Sequence, residues 1–174
     1  MLRRGVVLAA AVLLSGCVSD GVGTEYAAVV QKVGQPRAGQ SRIVVFQEKR
    51  QGLSMALCAC DMKLDGNPIG KVTTGTYVYA DRAAGRHRLM ASESLFPGDT
   101  IREFTTQPGR TYYFLIRSSE RHNAVTTGGA VAGLTGILVV AVATSEKENQ
   151  GPAELLSLDE SAAKTALTEL ELAQ

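Results

Sequence analysis

The run Cys58-Ala59-Cys60-Asp61-Met62-Lys63-Leu64, followed at once by Asp65-Gly66-Asn67-Pro68, decides the fold class. Successive side chains of a strand point to opposite faces, so the alternation puts Cys58, Cys60, Met62 and Leu64 on one face and Asp61 and Lys63 on the other. That is the pattern of a half-buried strand. The four residues after it tolerate positive φ or fix the backbone, and so turn the chain. Pro97-Gly98 and Pro108-Gly109 read as turns for the same reason.

Working outward, the same texture covers most of the chain. Short β-rich runs span Arg42 to Glu48, Met55 to Leu64, Ile69 to Val72, Thr76 to Ala80, His87 to Glu93, Thr100 to Thr106 and Tyr112 to Arg117. In the first run Ile43 and Val45 oppose Val44 and Phe46, so both faces are apolar and the strand is expected to be central. Tyr112, Phe114 and Ile116, alternating with Tyr113 and Leu115, predict a second central strand. Several short strands at this spacing predict a mainly β fold, a small antiparallel β-sandwich. The tail adds a strand over Glu154 to Leu158 and an amphipathic helix. Ser157 and Glu160 stand at capping-box spacing, and Ala163, Ala166, Leu167 and Leu170 form one apolar stripe. The helix is expected to lie on the sandwich or to close one end.

The N-terminus carries a different signal. Arg3 and Arg4 precede an apolar run from Gly5 to Leu14, the charged and hydrophobic regions of an export signal. The run is too short to span a bilayer, which needs about 20 apolar residues. It leads into Leu14-Ser15-Gly16-Cys17, which resembles the lipobox of bacterial lipoproteins. The resemblance implies a signal peptide over 1–16, cleavage before Cys17 and acylation of that residue. Val18 is not the aspartate that commonly retains such proteins in the inner membrane, so the expected address is the outer membrane, facing the periplasm. Several acyl chains make such attachment effectively permanent.

The mature chain would carry a formal charge of −1, because Arg3 and Arg4 leave with the signal peptide from a chain of charge +1. Near neutrality argues against a nucleic-acid partner, which calls for a clustered basic surface. Residues 17–40 contain Gly21, Gly23, Gly34, Pro36 and Gly39 and read as a tether. Tyr26, Val29, Val30 and Val33 fall at helical spacing within it, so a short helix over Thr24 to Val33 is either docked or part of a loose spacer. Residues 41–174 form the domain.

Within the domain, Ala124 to Thr144 is the unusual segment, apolar and glycine-rich. Gly128, Ala132 and Gly136 recur every four residues, with Gly129 and Gly133 on a parallel register. Small residues at this spacing let helices approach closely inside membranes. A single crossing is topologically awkward, because the strands on either side belong to one domain. A bent hairpin touching the membrane or a second copy, and a connection packed on its own domain, are the other two readings.

Other candidate chemistry is sparse. Cys58 and Cys60 are expected to be buried free thiols, because Cα atoms two apart on a strand lie at about 6.5 to 7 Å, at or beyond the usual bridging range. A bond formed after strand distortion or with another chain is the alternative. Neither has a histidine at metal-site spacing, so no metal and no cofactor is expected. His87, between Arg86 and Arg88, is expected to be solvated or to stabilise a turn, and His122 lies in no catalytic motif. Asp61 and Asp65 could be paired carboxylates, but an Asp-Gly turn already explains Asp65.

Four pieces in order carry a family resemblance: Leu64-Asp65-Gly66-Asn67-Pro68-Ile69-Gly70, Gly75-Thr76-Tyr77, Ala84-Gly85-Arg86-His87 and Pro108-Gly109-Arg110-Thr111-Tyr112-Tyr113. Together they resemble the DUF2846 lipoprotein family over roughly Ser41 to Ala162. The resemblance implies a small β-sandwich of the kind seen in surface-layer and carbohydrate-associated modules, and transfers no catalytic residue. The expected function is that of a non-enzymatic envelope protein, lipid-anchored through Cys17, that binds a protein, glycan or membrane surface. The segment with Gly128, Gly129, Ala132, Gly133 and Gly136 would contact membrane or mediate self-association. A periplasmic hydrolase with acid and base on separate loops is the alternative reading, and a structural subunit of an envelope assembly is a third.

Overall fold

Strand β1 (Gln40–Phe46) has apolar side chains on both faces, and the fold covers both. It lies in the middle of a five-stranded sheet of order β8-β7-β1-β4-β9, formed with β4 (Thr76–Ala83), β7 (Thr111–Ser118), β8 (Ala153–Leu158) and β9 (Glu171–Leu172). A four-stranded sheet, order β3-β2-β5-β6, contains β2 (Cys60–Leu64), β3 (Asn67–Val72), β5 (Arg86–Glu93) and β6 (Phe96–Thr105). The structure, a computed structural model, describes residues 26–49, 59–94, 96–125 and 151–173.

The fold is mainly β, as the alternation requires. The small sheet is antiparallel throughout, but the larger one is mixed, which corrects the expectation of antiparallel pairing: β1 runs parallel to β7, and β4 parallel to β9. Parallel neighbours need a long crossover. Here the whole four-stranded sheet and β4 lie in the chain between β1 and β7.

Ile43, Val45, Val78, Phe114 and Ile116 of the large sheet form one core cluster with Cys60, Met62, Leu64, Val72 and Leu89 of the small one. The opposite face of the large sheet, Val44, Phe46, Tyr77, Tyr113 and Leu115, is covered by α1 (Tyr26–Val33) and α3 (Glu160–Leu167). So the short N-terminal helix is docked. Tyr26 sets its ring edge-on against Tyr77 and Tyr113, at centroid distances of 5.6 and 6.3 Å. Arg42, only 2 % exposed, donates to the Gly34 carbonyl at the end of α1 and grips Asp81 through two nitrogens, at 2.7 and 2.8 Å. Its guanidinium also lies over the Tyr79 ring.

Two local readings change. Helix α3 is capped by Asp159, whose carboxylate accepts from the Ala162 amide, and not by Ser157. The helix therefore starts after β8 has run to Leu158. Pro97-Gly98 is no turn either: it lies in β6, an edge strand, where a missing N–H is tolerated, beside a register shift at Ala91/Glu93. The Asp65-Gly66 turn is as expected, with both residues at positive φ.

The Gln47 side chain is fully buried, and among the described residues neither its amide nitrogen nor its oxygen meets a partner. An orphaned buried polar group costs roughly 1–3 kcal/mol. Gln47→Leu should therefore stabilise the domain by about 1 kcal/mol or more in urea unfolding. Arg42→Met should destabilise it by roughly 3 kcal/mol, because a partly buried carboxylate loses its counter-ion. The same change should make α1 the first segment cut in limited proteolysis.

Candidate functional site

The large sheet has two poles, and the chain's excursions share one of them. Helix α1 runs antiparallel to β1: its end at Gly34 meets Arg42, near the start of β1, while Tyr26 packs on Tyr77, the partner of Phe46 at the end of β1. The chain thus enters α1 at the pole where β1 ends. It leaves β1 there toward Lys49 and returns at Ala59, whose amide donates to Glu93. It leaves again after β7, through the helical stretch α2 (120–125), and returns at Gly151, because Ser118 pairs with Ala153.

Both sides of that second root are clamped. Ser119 donates its hydroxyl to the Gly151 carbonyl and its amide to the Pro152 carbonyl, at 2.8 and 3.0 Å. Thr100 of β6 donates to the Ala153 carbonyl at 2.6 Å. Gly151 lies against the backbone of Thr100 so closely that a Cβ would collide with it. On α2, His122 places Nε2 3.0 Å from a Glu93 carboxylate oxygen, both side chains being largely buried, and packs its ring on Phe96. Arg121 covers the same ring with its guanidinium and donates to the Pro97 carbonyl. Thus α2 ties both sheets together where the glycine-rich segment departs.

A second polar cluster spans the sheets near the other pole. The Asp65 carboxylate accepts from the Arg88 amide at 2.9 Å and from His87 Nδ1 at 2.8 Å. A carboxylate can only accept, so Nδ1 carries the proton, and in the neutral ring Nε2 accepts from the Thr106 hydroxyl at 3.1 Å. Ser41 of the large sheet donates to the same hydroxyl at 2.8 Å. The order carboxylate, imidazole, hydroxyl matches a nucleophile-activating chain in type. Access decides otherwise. Ser41, His87 and Thr106 are all buried, so no substrate reaches the hydroxyls, and the chain acts as a polar clasp between the sheets. His87 is therefore buried, and of the two roles the sequence allowed it takes the turn-stabilising one, through its bond to Asp65 of the Asp65-Gly66 turn.

Burial alone raises the Asp65 carboxyl, but the Arg88 amide and the His87 ring outweigh it and hold it below the usual carboxylate range. Asp61 stands apart, in an exposed pair with Lys71, so the two aspartates are not an acid–base couple. Cys60 is disulfide-bonded, against the expected free thiol. Cys58, Cys17 and the glycine-rich positions Gly128, Gly129, Ala132, Gly133 and Gly136 lie outside the described residues. Among the described residues no group of three or more His, Cys, Asp or Glu could hold a metal, and no helix is long and apolar enough to cross a membrane.

At the pole away from the excursions a cleft of about 480 Å³ opens where the Pro108-Gly109-Arg110-Thr111-Tyr112-Tyr113 motif begins β7. Its walls come from Gln35 after α1 and from Ser157 to Glu160 at the junction of β8 and α3. The motif was legible in the sequence, but its neighbours in the cleft were not.

The turn, strand and histidine motifs that shape these sites fall within residues 37–130, which match the family described as a protein of unknown function (DUF2846). The chain belongs to the DUF2846 family. The matched span holds more than half of the chain and both elements of the Asp65–His87 clasp. It stops short of β8 and α3, so the resemblance read as far as Ala162 extends beyond the match. No curated protein matches the chain.

Two outcomes follow for this DUF2846 domain. Gly151→Ala should destabilise it by roughly 1–3 kcal/mol in urea, since the Cβ must displace strand backbone. Because the folded pKa of Asp65 is depressed, its contribution is present above about pH 4 and is lost as pH falls through the folded value. The stability gap between wild type and Asp65→Asn, followed by thermal unfolding, should therefore narrow as the medium is acidified below about pH 4.

Proposed function

We propose that the chain is a non-enzymatic envelope lipoprotein, acylated on Cys17, whose two sheets form a β-sandwich held pole-first against a membrane, the outer membrane on its periplasmic side. The observation that carries this reading is the shared pole. The N-terminal entry at Tyr26 and the root of the glycine-rich segment, between Val125 and Gly151, leave the same end of the large sheet.

Docking of α1 sharpens the reading. With the helix latched by Arg42 and the tyrosine ring contacts, only Val18 to Glu25 would separate Cys17 from the domain. Whatever its conformation, such a linker reaches at most roughly 30 Å. The pole carrying the apolar, glycine-rich segment is thereby kept near the lipid that anchors the chain. Membrane contact by 124–144, or pairing with a neighbouring copy on the same surface, needs no further partner to bring it into range. Among the described residues, the burial of Ser41, His87 and Thr106 counts against the Asp65–His87–Thr106 chain as the centre of a hydrolase.

Two measurements test the proposal. Mass spectrometry of the N-terminal peptide from membrane-extracted protein should find acyl chains on Cys17, and an unmodified Cys17 would sink the lipoprotein reading. The mature chain carrying Cys17→Ser, partitioned in a mild phase-separating detergent, should enter the detergent phase or self-associate. If it stays aqueous and monomeric, 124–144 contacts neither membrane nor a second copy.

A further inference from the structure

We infer that the cleft at the pole opposite the chain's excursions binds a neutral saccharide. This rests on the reading of the chain as an envelope binding protein, and gives that reading a ligand class.

The cleft exists because β7 outruns its partner. The last pair of β7 with β8 is Tyr113 with Leu158, after which the chain turns away through Asp159 into α3, leaving Thr111 and Tyr112 with no strand beside them on that edge. Its volume of about 480 Å³ falls within the range of small-molecule sites. The frame is rigid for so open a site. Gly109 sits at φ +74 in the turn, the Gln107 amide donates to the Tyr112 hydroxyl at 2.9 Å, and Asp159 is held by its cap to Ala162. Preorganised groups lose less freedom on binding.

The lining selects the ligand by elimination. Gln35, Arg110, Thr111, Ser157, Asp159 and Glu160 supply donors and acceptors together, a poor match for a hydrocarbon ligand. Charge selects against an ion of either sign: Glu160 is already paired with Lys164 at 2.6 Å, which leaves one guanidinium and one carboxylate to offset each other. Strand addition by a peptide needs a longer free edge than two residues. A compact, uncharged molecule that offers many hydroxyls as both donors and acceptors satisfies all three conditions. That is a saccharide of one to three units.

The test is saturation-transfer NMR on the full chain in detergent micelles, with the trisaccharides of N-acetylglucosamine and of glucose as probes, and trilysine and triglutamate as charged controls. At least one saccharide should receive saturation, with a Kd in roughly the millimolar range or below. Arg110→Ala and Asp159→Asn should each weaken binding about tenfold, equivalent to about 1.4 kcal/mol. Asparagine caps a helix as well as aspartate does, so α3 persists in the second variant, as circular dichroism would verify. Silence from both saccharides, binding of a charged control alone, or saccharide binding unchanged in both variants would each overturn the inference. Detergent partitioning of the Cys17→Ser chain reads the opposite pole, so failure of either reading is seen separately.

Discussion

The structure depends on one constraint: β1 is apolar on both faces and must be covered twice. Ile43 and Val45 are covered by the four-stranded sheet, and Val44 and Phe46 by two short helices. Neither helix, at eight residues, would be stable alone in water. Each exists because the outer face of the large sheet gives its apolar stripe somewhere to lie. The layers of the molecule therefore follow from a single four-residue apolar run.

The polar interactions sit where that layering leaves joints. Arg42 anchors the end of α1 to the start of the large sheet, through Gly34 and Asp81. The Asp65–His87–Thr106–Ser41 chain ties the two sheets near one pole, and Ser119, Thr100, His122 and Glu93 tie them at the other. A buried hydrogen bond adds little net stability, but removing one partner leaves a group without solvent or substitute. Such clasps specify how layers meet more than they strengthen them. They also leave the two poles distinct, one at which the chain leaves and re-enters the large sheet and the other holding an open cleft.

Much of the architecture was legible from spacing alone. Most strand runs were placed to within a few residues because alternation reports which face is buried, and the central positions of β1 and β7 followed from their lack of polar alternation; of the run from Met55 to Leu64 the described part is strand only from Cys60. What spacing misread or left open has a common cause. Pro97-Gly98 looked like a turn because the residues that break strands also occur on edge strands, and which strand is an edge is a property of the sheet. Whether His87 was solvated or held a turn could not be read beside two arginines, and the fold decides it by pointing the ring inward onto Asp65.

By itself the sequence determined the strand pattern, the family motifs, the docking stripe of α3 and the lipobox-like run before Cys17. These are local properties, set by side-chain period and by residues that restrict φ. Only the tertiary structure decided that β1 pairs in parallel with β7, that Asp65 and His87 meet across 22 positions, and that entry and excursion share a pole. Each of those depends on which distant segments bury one another, and burial between segments is chosen by the assembled core, not by either segment's own sequence.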